Sequence, residues 1–214
     1  MTNTCLPGEP GAYPSDCEIL AGYRARANTR QLARVDDPHW QLALAKARDI
    51  KLLLLDVDGV LTDGCLLYTN NGEESKAFHT QDGFGLRLLR QAGIATGIIT
   101  ARQSALVGRR ATELKMDYVY QAAGNKNDAY QEILRQSGRK PFEVAYMGDD
   151  WLDLVLLQQV GLALAPANCV AEVRTAVHYV TPNPGGMGAV RDACNLILTA
   201  QDKIAKLLAE FQQR

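Results

Sequence analysis

Short apolar runs alternate with amphipathic stretches along most of the chain. The first run, in KLLLLDVDGVLTDG at residues 51–64, joins four leucines, which is typical of a parallel strand covered on both faces. Further strands are predicted at IATGIIT, near residues 118–120, and at EVAYMG, LALA and HYVT. Because helical patterns separate these strands, we expect an α/β fold with a doubly wound, mainly parallel sheet.

Helical periodicity fills the intervals between the strands. Helices are predicted at residues 103–114, 126–137, 152–159 and 170–176, with one long helix at the end of the chain. Before them, GFGLRLLRQAG carries an apolar stripe that consists of Phe84, Leu86, Leu88 and Leu89 and closes at Gly93. The segment CLLYTNNGEESKAFHT turns at Asn70-Asn71-Gly72, and it predicts a projecting β-hairpin because Asn and Gly accept positive φ.

The start of the chain has a different pattern. Residues 1–37 mix prolines, glycines and polar residues without a sustained apolar period, so we expect a disordered extension that catalysis does not need. Asp37 followed by Pro38 is typical of a helix start, and Trp40 and Leu44 give that helix an apolar stripe. Residues 38–214 are expected to form one domain.

Composition excludes several classes of protein. The 23 Lys and Arg residues against 24 Asp and Glu give a formal net charge of −1, without the basic excess of a nucleic-acid binder. The five cysteines are scattered and form no C-x-x-C pair, so neither a disulfide framework nor a zinc site is indicated. No apolar stretch has the length of a membrane span, and no signal-peptide pattern is present. We therefore expect a cytoplasmic protein.

Polar residues follow the predicted strands at their carboxyl ends, where ligands bind in open α/β sheets. The set consists of Asp56, Asp58, Thr100, Lys126, Asp149 and Asp150. Taken alone, Asp56 and Asp58 are equally typical of carboxylates that cap a turn. As a cluster, carboxylates raise one another's pKa unless a cation neutralises them, and oxygen ligands without His or Cys favour Mg²⁺.

A Mg²⁺ site beside a lysine, a hydroxyl and free backbone N–H groups suits a phosphoryl dianion. At this point the chain resembles the haloacid dehalogenase superfamily of phosphatases, whose four motifs match DVDGV, IIT, Lys126 and GDDWLD. The resemblance implies that Asp56 attacks phosphorus to form an aspartyl-phosphate and that Asp58 is the acid and base. Thr100 and Lys126 are the other implied catalytic residues.

The same resemblance implies how a metal ion is held. Asp56, the main-chain carbonyl of Asp58, and Asp149 would bind Mg²⁺, while Asp150 and Asp153 would support them. Many members of the superfamily carry a cap domain over the site. Here residues 62–95 supply only a hairpin and one helix, and no insertion separates Lys126 from Asp149. We expect another subunit to cover the open site.

Among cap-less members, the chain resembles the 3-deoxy-D-manno-octulosonate 8-phosphate phosphatases over residues 50 to about 203. The matching segments are SKAFHTQDGFG, YMGDDWLDL, VGLALAPANC, HYVT and GGMGAVRDACNLILTAQDK. The resemblance implies a homotetramer joined through the hairpins. It also makes the GGMG stretch, Gly185 to Gly188, look like a tail that reaches a neighbouring site, with Met187 where an arginine is often found.

The family's substrate contacts can be carried over residue by residue. They fall on Asp58, His79, Thr80, Gln81, Asp82, Gly83, Arg87, Arg102, Arg110 and Lys126. Forked arginines suit a substrate with a phosphate at one end and a carboxylate at the other. Arg87 and Arg110 lie on predicted helices, however, where a solvated arginine is the commoner case.

The resemblance thus implies Mg²⁺-dependent hydrolysis of 3-deoxy-D-manno-octulosonate 8-phosphate in lipopolysaccharide synthesis. Two other functions stay open. One is a phosphatase for a nine-carbon, sialic-acid-type ulosonate 9-phosphate, because such relatives share the scaffold and motifs. The other is a catalytically silent tetramerisation module, against which the intact Asp58 argues.

Overall fold

The structure is a computed structural model that describes residues 37–213 and, before them, only residues 19 and 22. The expected disordered extension at residues 1–37 therefore lies almost wholly outside the described residues and stays a prediction. Packing divides the chain into two units, residues 1–41 and 42–214, and the main sheet lies in the second. Within the described part of the chain, no helix is long and apolar enough to cross a membrane.

Six strands form one parallel sheet. They are β1 (Leu52–Leu55), β4 (Ala95–Ile99), β5 (Tyr118–Tyr120), β6 (Val144–Met147), β7 (Leu162–Ala165) and β8 (Tyr179–Val180). Their order across the sheet is β5-β4-β1-β6-β7-β8, and every neighbouring pair is parallel. All four leucines of β1 are fully buried, as the apolar run predicted.

Helices cover both faces of this sheet. The helices of the described residues are α1 (Pro38–Ala47), α2 (Thr80–Gln91), α3 (Ala105–Leu114), α4 (Lys126–Ser137), α5 (Leu154–Leu157), α6 (Ala171–Ala176), α7 (Ala189–Ala200) and α8 (Ile204–Gln212). The helices α4, α5 and α6 contribute to one apolar cluster with β1, β6 and β7, while α2 packs against α7 and β4. The predicted doubly wound α/β fold is confirmed.

The predicted hairpin is also confirmed. It consists of β2 (Leu67–Tyr68) and β3 (Glu74–Ser75), which pair antiparallel over only two residues each. Gly72 has φ of +78°, the left-handed conformation that glycine adopts readily, and its N–H donates to the carbonyl of Thr69. So short a hairpin is marginal without further packing.

Two helix predictions were wrong in extent. The predicted helix at 152–159 is a 3₁₀ turn, Trp151–Asp153, followed by the short α5, because Asp150 and Asp153 form a capping box at the start of that turn. The predicted long final helix is interrupted between α7 and α8. Asp202 adopts a left-handed φ of +53° there, and the N–H of Lys203 donates to the carbonyl of Leu198.

Candidate active site

The loop after β1 brings the first carboxylate to the edge of the sheet. The Asp56 N–H donates to the carbonyl of Met147 at 2.9 Å, which prolongs the pairing of β1 with β6 by one residue. The chain then turns back at once, since the N–H groups of residues 60–62 all donate to the carbonyl of Val57. This tight turn fixes where Asp56 and Asp58 point.

Gly59 lets this loop pack directly on the loop after β6. Its φ is +87°, and a Cβ at this position would collide with the carboxylate of Asp149. A side chain is therefore excluded both by the backbone conformation and by the close approach. Asp149 lies against the loop that carries Asp56, as the positions at neighbouring strand ends predicted.

Lys126 is the first residue of α4, and Asn125 caps that helix by accepting the N–H of Asn127. The helix start directs the lysine side chain inward, where only 3% of it is exposed. Its ammonium lies 3.0 Å from Asp56 Oδ2 and 2.6 Å from Asp153 Oδ1. The structure thus brings the predicted lysine to the predicted nucleophile.

Asp153 organises the loop rather than facing open space. Its Oδ1 accepts from Lys126 and from the hydroxyl of Tyr146, both at 2.6 Å. Its Oδ2 accepts the N–H groups of Asp149 at 2.9 Å and of Asp150 at 3.2 Å. Because both oxygens have protein donors, Asp153 has the supporting position that the resemblance implied.

The donor set fits Mg²⁺. One carboxylate oxygen from each of Asp56, Asp149 and Asp153 lies within 4.8 Å of the others. Since Asp153 is already occupied by protein donors, Asp56 and Asp149 are the carboxylates available to a cation. Asp58 can add only its main-chain carbonyl, because its side chain lies in another cluster. Asp150 is exposed and caps the N–H of Trp151 at 2.7 Å.

Electrostatics favour a cation at the same place. Burial raises the pKa of Asp149 to about 7, and the charges of Asp153, Asp56 and Asp150 add to the rise. Burial and the charge of Asp153 raise the pKa of Asp56 to about 6, although Lys126 opposes the shift. For Lys126 itself, burial lowers the pKa, but Asp56 and Asp153 outweigh burial and the net direction is upward. One lysine does not neutralise three carboxylates, whereas the lysine and a divalent cation together would.

Asp58 points toward the hairpin instead. It forms an ion pair with Lys76, and its Oδ2 lies 3.7 Å from Nε of Arg102. The Lys76 side chain is only 1% exposed and also lies 3.4 Å from Glu74. Arg102 donates to the hydroxyl of Tyr68 at 2.7 Å. We call Tyr68, Glu74, Lys76, Arg102 and Asp58 the hairpin cluster.

Sequence reasoning missed two residues that contact the predicted site residues. They are Lys76, which contacts Asp58, and Tyr146, which contacts Lys126 and Asp153. A weak signal existed for Lys76, because it lies two residues after Glu74 on the return arm of the hairpin and therefore shares its face. The residue Tyr146 stands in the predicted strand EVAYMG, and nothing in its spacing distinguishes a hydrogen-bonded tyrosine from an apolar core residue.

Thr100 directly follows β4 and is buried. Its main-chain N–H donates to the carbonyl of Tyr120 at 2.9 Å, and its hydroxyl accepts the N–H of Arg102 at 3.4 Å. This bond holds the turn that carries Arg102 toward Asp58. Thr100 therefore stands at the strand end where the pattern placed it.

The predicted loop from His79 to Gly83 forms the start of α2. Thr80 and Gln81 are exposed, whereas Asp82 is buried. The carboxylate of Asp82 accepts the N–H of Gly188 at 3.3 Å and of Arg191 at 2.7 Å. Both oxygens thus hold the start of α7. In the loop at residues 79–83, the main chain and the side chains next to Asp82 are the groups still able to contact a ligand.

Arg110 packs against this loop. A Cβ on Gly83 would collide with the guanidinium of Arg110, which also lies 5.6 Å from the ring centre of Phe78 and 3.5 Å from the carbonyl of His79. In contrast, Arg87 is exposed, roughly 10 Å along α2 from its start by helical rise. It lines an open groove of about 600 Å³ with Phe84 and Phe211.

The glycine stretch packs against the loop that follows β1. Gly185 is buried, and a Cβ there would collide with the main chain of Gly59 in the same chain. Gly186 donates its N–H to the carbonyl of Val60, and Asn168 bridges the two segments by contacting the main chain of both Gly59 and Gly185. The glycines pack against this chain's own loop, and contact of this stretch with a neighbouring site stays a prediction.

Comparison with known proteins agrees with this geometry. A family model described as haloacid dehalogenase-like hydrolase matches residues 116–191, which hold Lys126 and the Asp149 loop. The 3-deoxy-D-manno-octulosonate 8-phosphate phosphatase KdsC of Yersinia pestis is 42% identical over 83% of this chain and 95% of its own length. The enzyme of the same name from Escherichia coli K12 is 44% identical over 75% of this chain and 86% of its own.

A solved structure extends the likeness to three dimensions. The 3-deoxy-D-manno-octulosonate 8-phosphate phosphatase of Moraxella catarrhalis, in complex with magnesium ion, phosphate ion and KDO, is 41% identical. It superposes with a TM-score of 0.77, covering 79% of this chain and 97% of the other. The carboxylates and the lysine described above lie within a chain that matches these relatives over nearly their whole length. The chain belongs to the family of 3-deoxy-D-manno-octulosonate 8-phosphate phosphatases, within the haloacid dehalogenase-like hydrolases.

Proposed function

We propose that this chain is a Mg²⁺-dependent phosphoric monoester hydrolase. Its substrate is 3-deoxy-D-manno-octulosonate 8-phosphate, and its products are the free sugar acid and phosphate, in lipopolysaccharide synthesis. The observation that carries the proposal is the contact of Lys126 with Asp56 beside Asp149, in a chain 42% identical to the Yersinia pestis enzyme over 95% of that enzyme's length.

The reaction divides between the two carboxylates of the first loop. Asp56 attacks phosphorus, and the bond from phosphorus to the sugar oxygen breaks as an aspartyl-phosphate forms. Asp58 gives its proton to that departing oxygen. It then takes a proton from the water that attacks the aspartyl-phosphate, which releases phosphate and restores Asp56. A bound Mg²⁺, held by Asp56, Asp149 and the Asp58 carbonyl, supplies positive charge against the phosphoryl oxygens.

Other residues bind and position. We assign Lys126 and Thr100 to the phosphoryl oxygens, and Asp150 and Asp153 to the support of the Asp149 loop. Arg102 and Arg110, with the main chain of residues 79–83, are the groups we assign to the sugar acid. For Arg87 we keep this role as a proposal, although the groove that it lines is formed by α2, α3 and α8.

Assembly would complete the site. The hairpin exposes apolar side chains, with Leu67 64% exposed and Tyr68 59% exposed, and a marginal hairpin gains from burying such residues. We propose a homotetramer in which the hairpins of neighbouring subunits pack together and cover the carboxylates. The proposed setting is the cytoplasm, where the three described cysteines, which are unpaired, would remain reduced.

The two alternatives are less well supported. A nine-carbon ulosonate 9-phosphate would need the same Mg²⁺ and lysine, but the similar proteins are named for the eight-carbon substrate. A silent module would have no need of two carboxylates that each contact their own lysine. We also propose that residues 1–37 form a dispensable extension. Removing them should leave kcat and the melting temperature unchanged, and a loss of either would contradict that role.

A panel of phosphate esters tests the substrate. Phosphate release is measured with 3-deoxy-D-manno-octulosonate 8-phosphate, a nine-carbon ulosonate 9-phosphate, glucose 6-phosphate and p-nitrophenyl phosphate, each with Mg²⁺ or with EDTA. We expect the highest kcat/KM with the eight-carbon sugar acid and no turnover in EDTA. A higher kcat/KM for the nine-carbon ester would reassign the substrate, and no turnover of any ester would favour the silent module.

A further inference from the structure

Tyr146 lies at the centre of the lysine network without any role assigned so far. It stands on β6 and is fully buried, and its hydroxyl lies 2.6 Å from Asp153 Oδ1 and 3.2 Å from Lys126 Nζ. Burial and the neighbouring carboxylates hold the pKa of Tyr146 well above its usual range. The hydroxyl therefore keeps its proton.

Counting donors and acceptors fixes the direction of each bond. An ammonium has three N–H donors and no acceptor, so the Tyr146 hydroxyl must accept from Lys126 and donate its single proton to Asp153. The three partners of Lys126 are then Asp56, Asp153 and Tyr146. Each N–H group of the Lys126 ammonium thus has one partner, and one of these partners is the attacking carboxylate of Asp56.

We propose that Tyr146 is a positioning residue of the phosphatase reaction, whose hydroxyl holds the ammonium of Lys126 at its place beside Asp56. This inference rests on the proposed function. Tyr146 would act through Lys126 and Asp153 and would not touch the substrate. Without the hydroxyl, the ammonium would have only Asp56 and Asp153 as partners and would be free to move between the two carboxylates.

A second buried tyrosine shows that packing alone does not account for this arrangement. Tyr130, on α4, belongs to the same apolar cluster and is equally inaccessible. Its hydroxyl has no hydrogen-bond partner among the residues that the structure describes. Removing that hydroxyl should therefore leave the lysine network intact, which makes Tyr130→Phe a matched control for Tyr146→Phe.

The test compares the two variants with the unaltered protein at saturating Mg²⁺. The substrates are p-nitrophenyl phosphate and 3-deoxy-D-manno-octulosonate 8-phosphate, and circular dichroism gives the melting temperature. For Tyr146→Phe we expect kcat to fall about tenfold, as for a lost hydrogen bond to a charged group. KM should stay within about twofold, because no group that binds substrate is removed. Tyr130→Phe should keep the unaltered kcat.

A double-mutant cycle separates positioning from a general effect on the protein. Tyr146→Phe should lower the residual rate of Lys126→Met by less than about twofold, because the group through which Tyr146 acts is already gone. An undiminished kcat in Tyr146→Phe, or an equal fall in the Lys126→Met background, would overturn the inference. Failure of Tyr146→Phe to fold while Tyr130→Phe folds would also overturn it, since the hydroxyl would then serve stability.

The two substrates keep this inference separable from the proposed function. If the unaltered protein hydrolyses p-nitrophenyl phosphate but not the sugar phosphate, the substrate proposal fails and the comparison of variants proceeds with the simple ester. If the unaltered protein hydrolyses neither ester, the proposed function fails and the inference fails with it. Activity in the unaltered protein with an unchanged Tyr146→Phe would remove the inference alone.

Discussion

Asp56 and Asp58 are two residues apart, yet each has its own buried lysine. Asp56 contacts Lys126, which begins α4, whereas Asp58 contacts Lys76, which follows the hairpin. The two lysines are almost equally inaccessible, with side chains 3% and 1% exposed. The tight turn at residues 56–62 thus directs two neighbouring carboxylates into two different environments, which suits two different roles in one reaction.

The two environments differ in what holds them. A capped helix, a central strand and Asp153 hold Lys126, and all three belong to the core of the sheet. In contrast, Lys76 depends on a hairpin whose strands pair over two residues each and whose apolar side chains are exposed. The nucleophile side of the site is therefore complete within the domain. The acid side rests on this short, exposed hairpin.

The largest expected effect comes from removing either carboxylate. Asp56→Asn should lower kcat at least about a thousandfold, because an amide cannot attack phosphorus, and Asp58→Asn should be nearly as severe. Neither change alters side-chain volume appreciably, so both variants should stay folded by circular dichroism. Mg²⁺-dependent turnover of Asp56→Asn at the unaltered rate would refute the covalent mechanism.

Lys76→Met tests the hairpin side directly. It removes the ammonium from Asp58 while keeping a long apolar stem, so we expect the carboxylate to lose its fixed position and kcat/KM to fall roughly tenfold to a hundredfold. Steady-state phosphate release measures the effect. The control is Lys51→Met, which removes an ion pair with Glu143 just before the other end of β1. Equal rates for the two variants would show that the Lys76 contact has no part in catalysis.

An intermediate effect is expected when the hairpin loses its apolar surface. Leu67→Asp places a charge where neighbouring hairpins would pack, so the tetramer should dissociate and kcat/KM should fall roughly tenfold as water enters the site. Light scattering gives the mass, and Leu208→Asp is the control because it alters another exposed leucine, on α8. A fully active monomer would show that the site needs no cover from another subunit.

The difference between the two environments also explains what the sequence could predict. The run of leucines, the paired acids, and the polar residues after later strands identified β1, Asp56, Thr100 and Asp149, because strand ends in a parallel sheet converge. Lys126 followed from its position at a helix start. These are regular elements, and their periodicity or order places the side chains.

The missed contacts arise from long-range packing. The burial of Lys76 depends on how a hairpin folds back over a loop 18 residues away, and no local pattern encodes that contact. The carboxylate of Asp82, which the family motif assigned to substrate, also caps a helix 106 residues further along the chain, and no local pattern encodes that contact. The break at Asp202 depends on a single left-handed residue inside a continuous apolar pattern.

The smallest expected effect concerns the cation on the nucleophile side. Asp149 and Asp56 have pKa values raised to about 7 and about 6, so their protonated forms are favoured by the fold when no cation is bound. Their contribution to stability is full below the ordinary aspartate pKa of 3.8 and is lost as the pH rises through 6 and 7. Mg²⁺ should restore this stability at high pH, where no proton competes with the cation for the two carboxylates.

We therefore expect Mg²⁺ to raise the melting temperature more at pH 8 than at pH 5.5. Below its pKa, each protonated carboxylate weakens cation binding about tenfold per pH unit, which reduces the stabilisation that Mg²⁺ provides. Scanning fluorimetry with and without Mg²⁺, at constant ionic strength, measures the difference. Asp149→Asn should abolish the Mg²⁺ effect at both pH values, whereas Lys51→Met should keep it. An equal rise at the two pH values would show that the buried carboxylates are already ionised at pH 5.5, and that the network around Lys126 neutralises them without a cation.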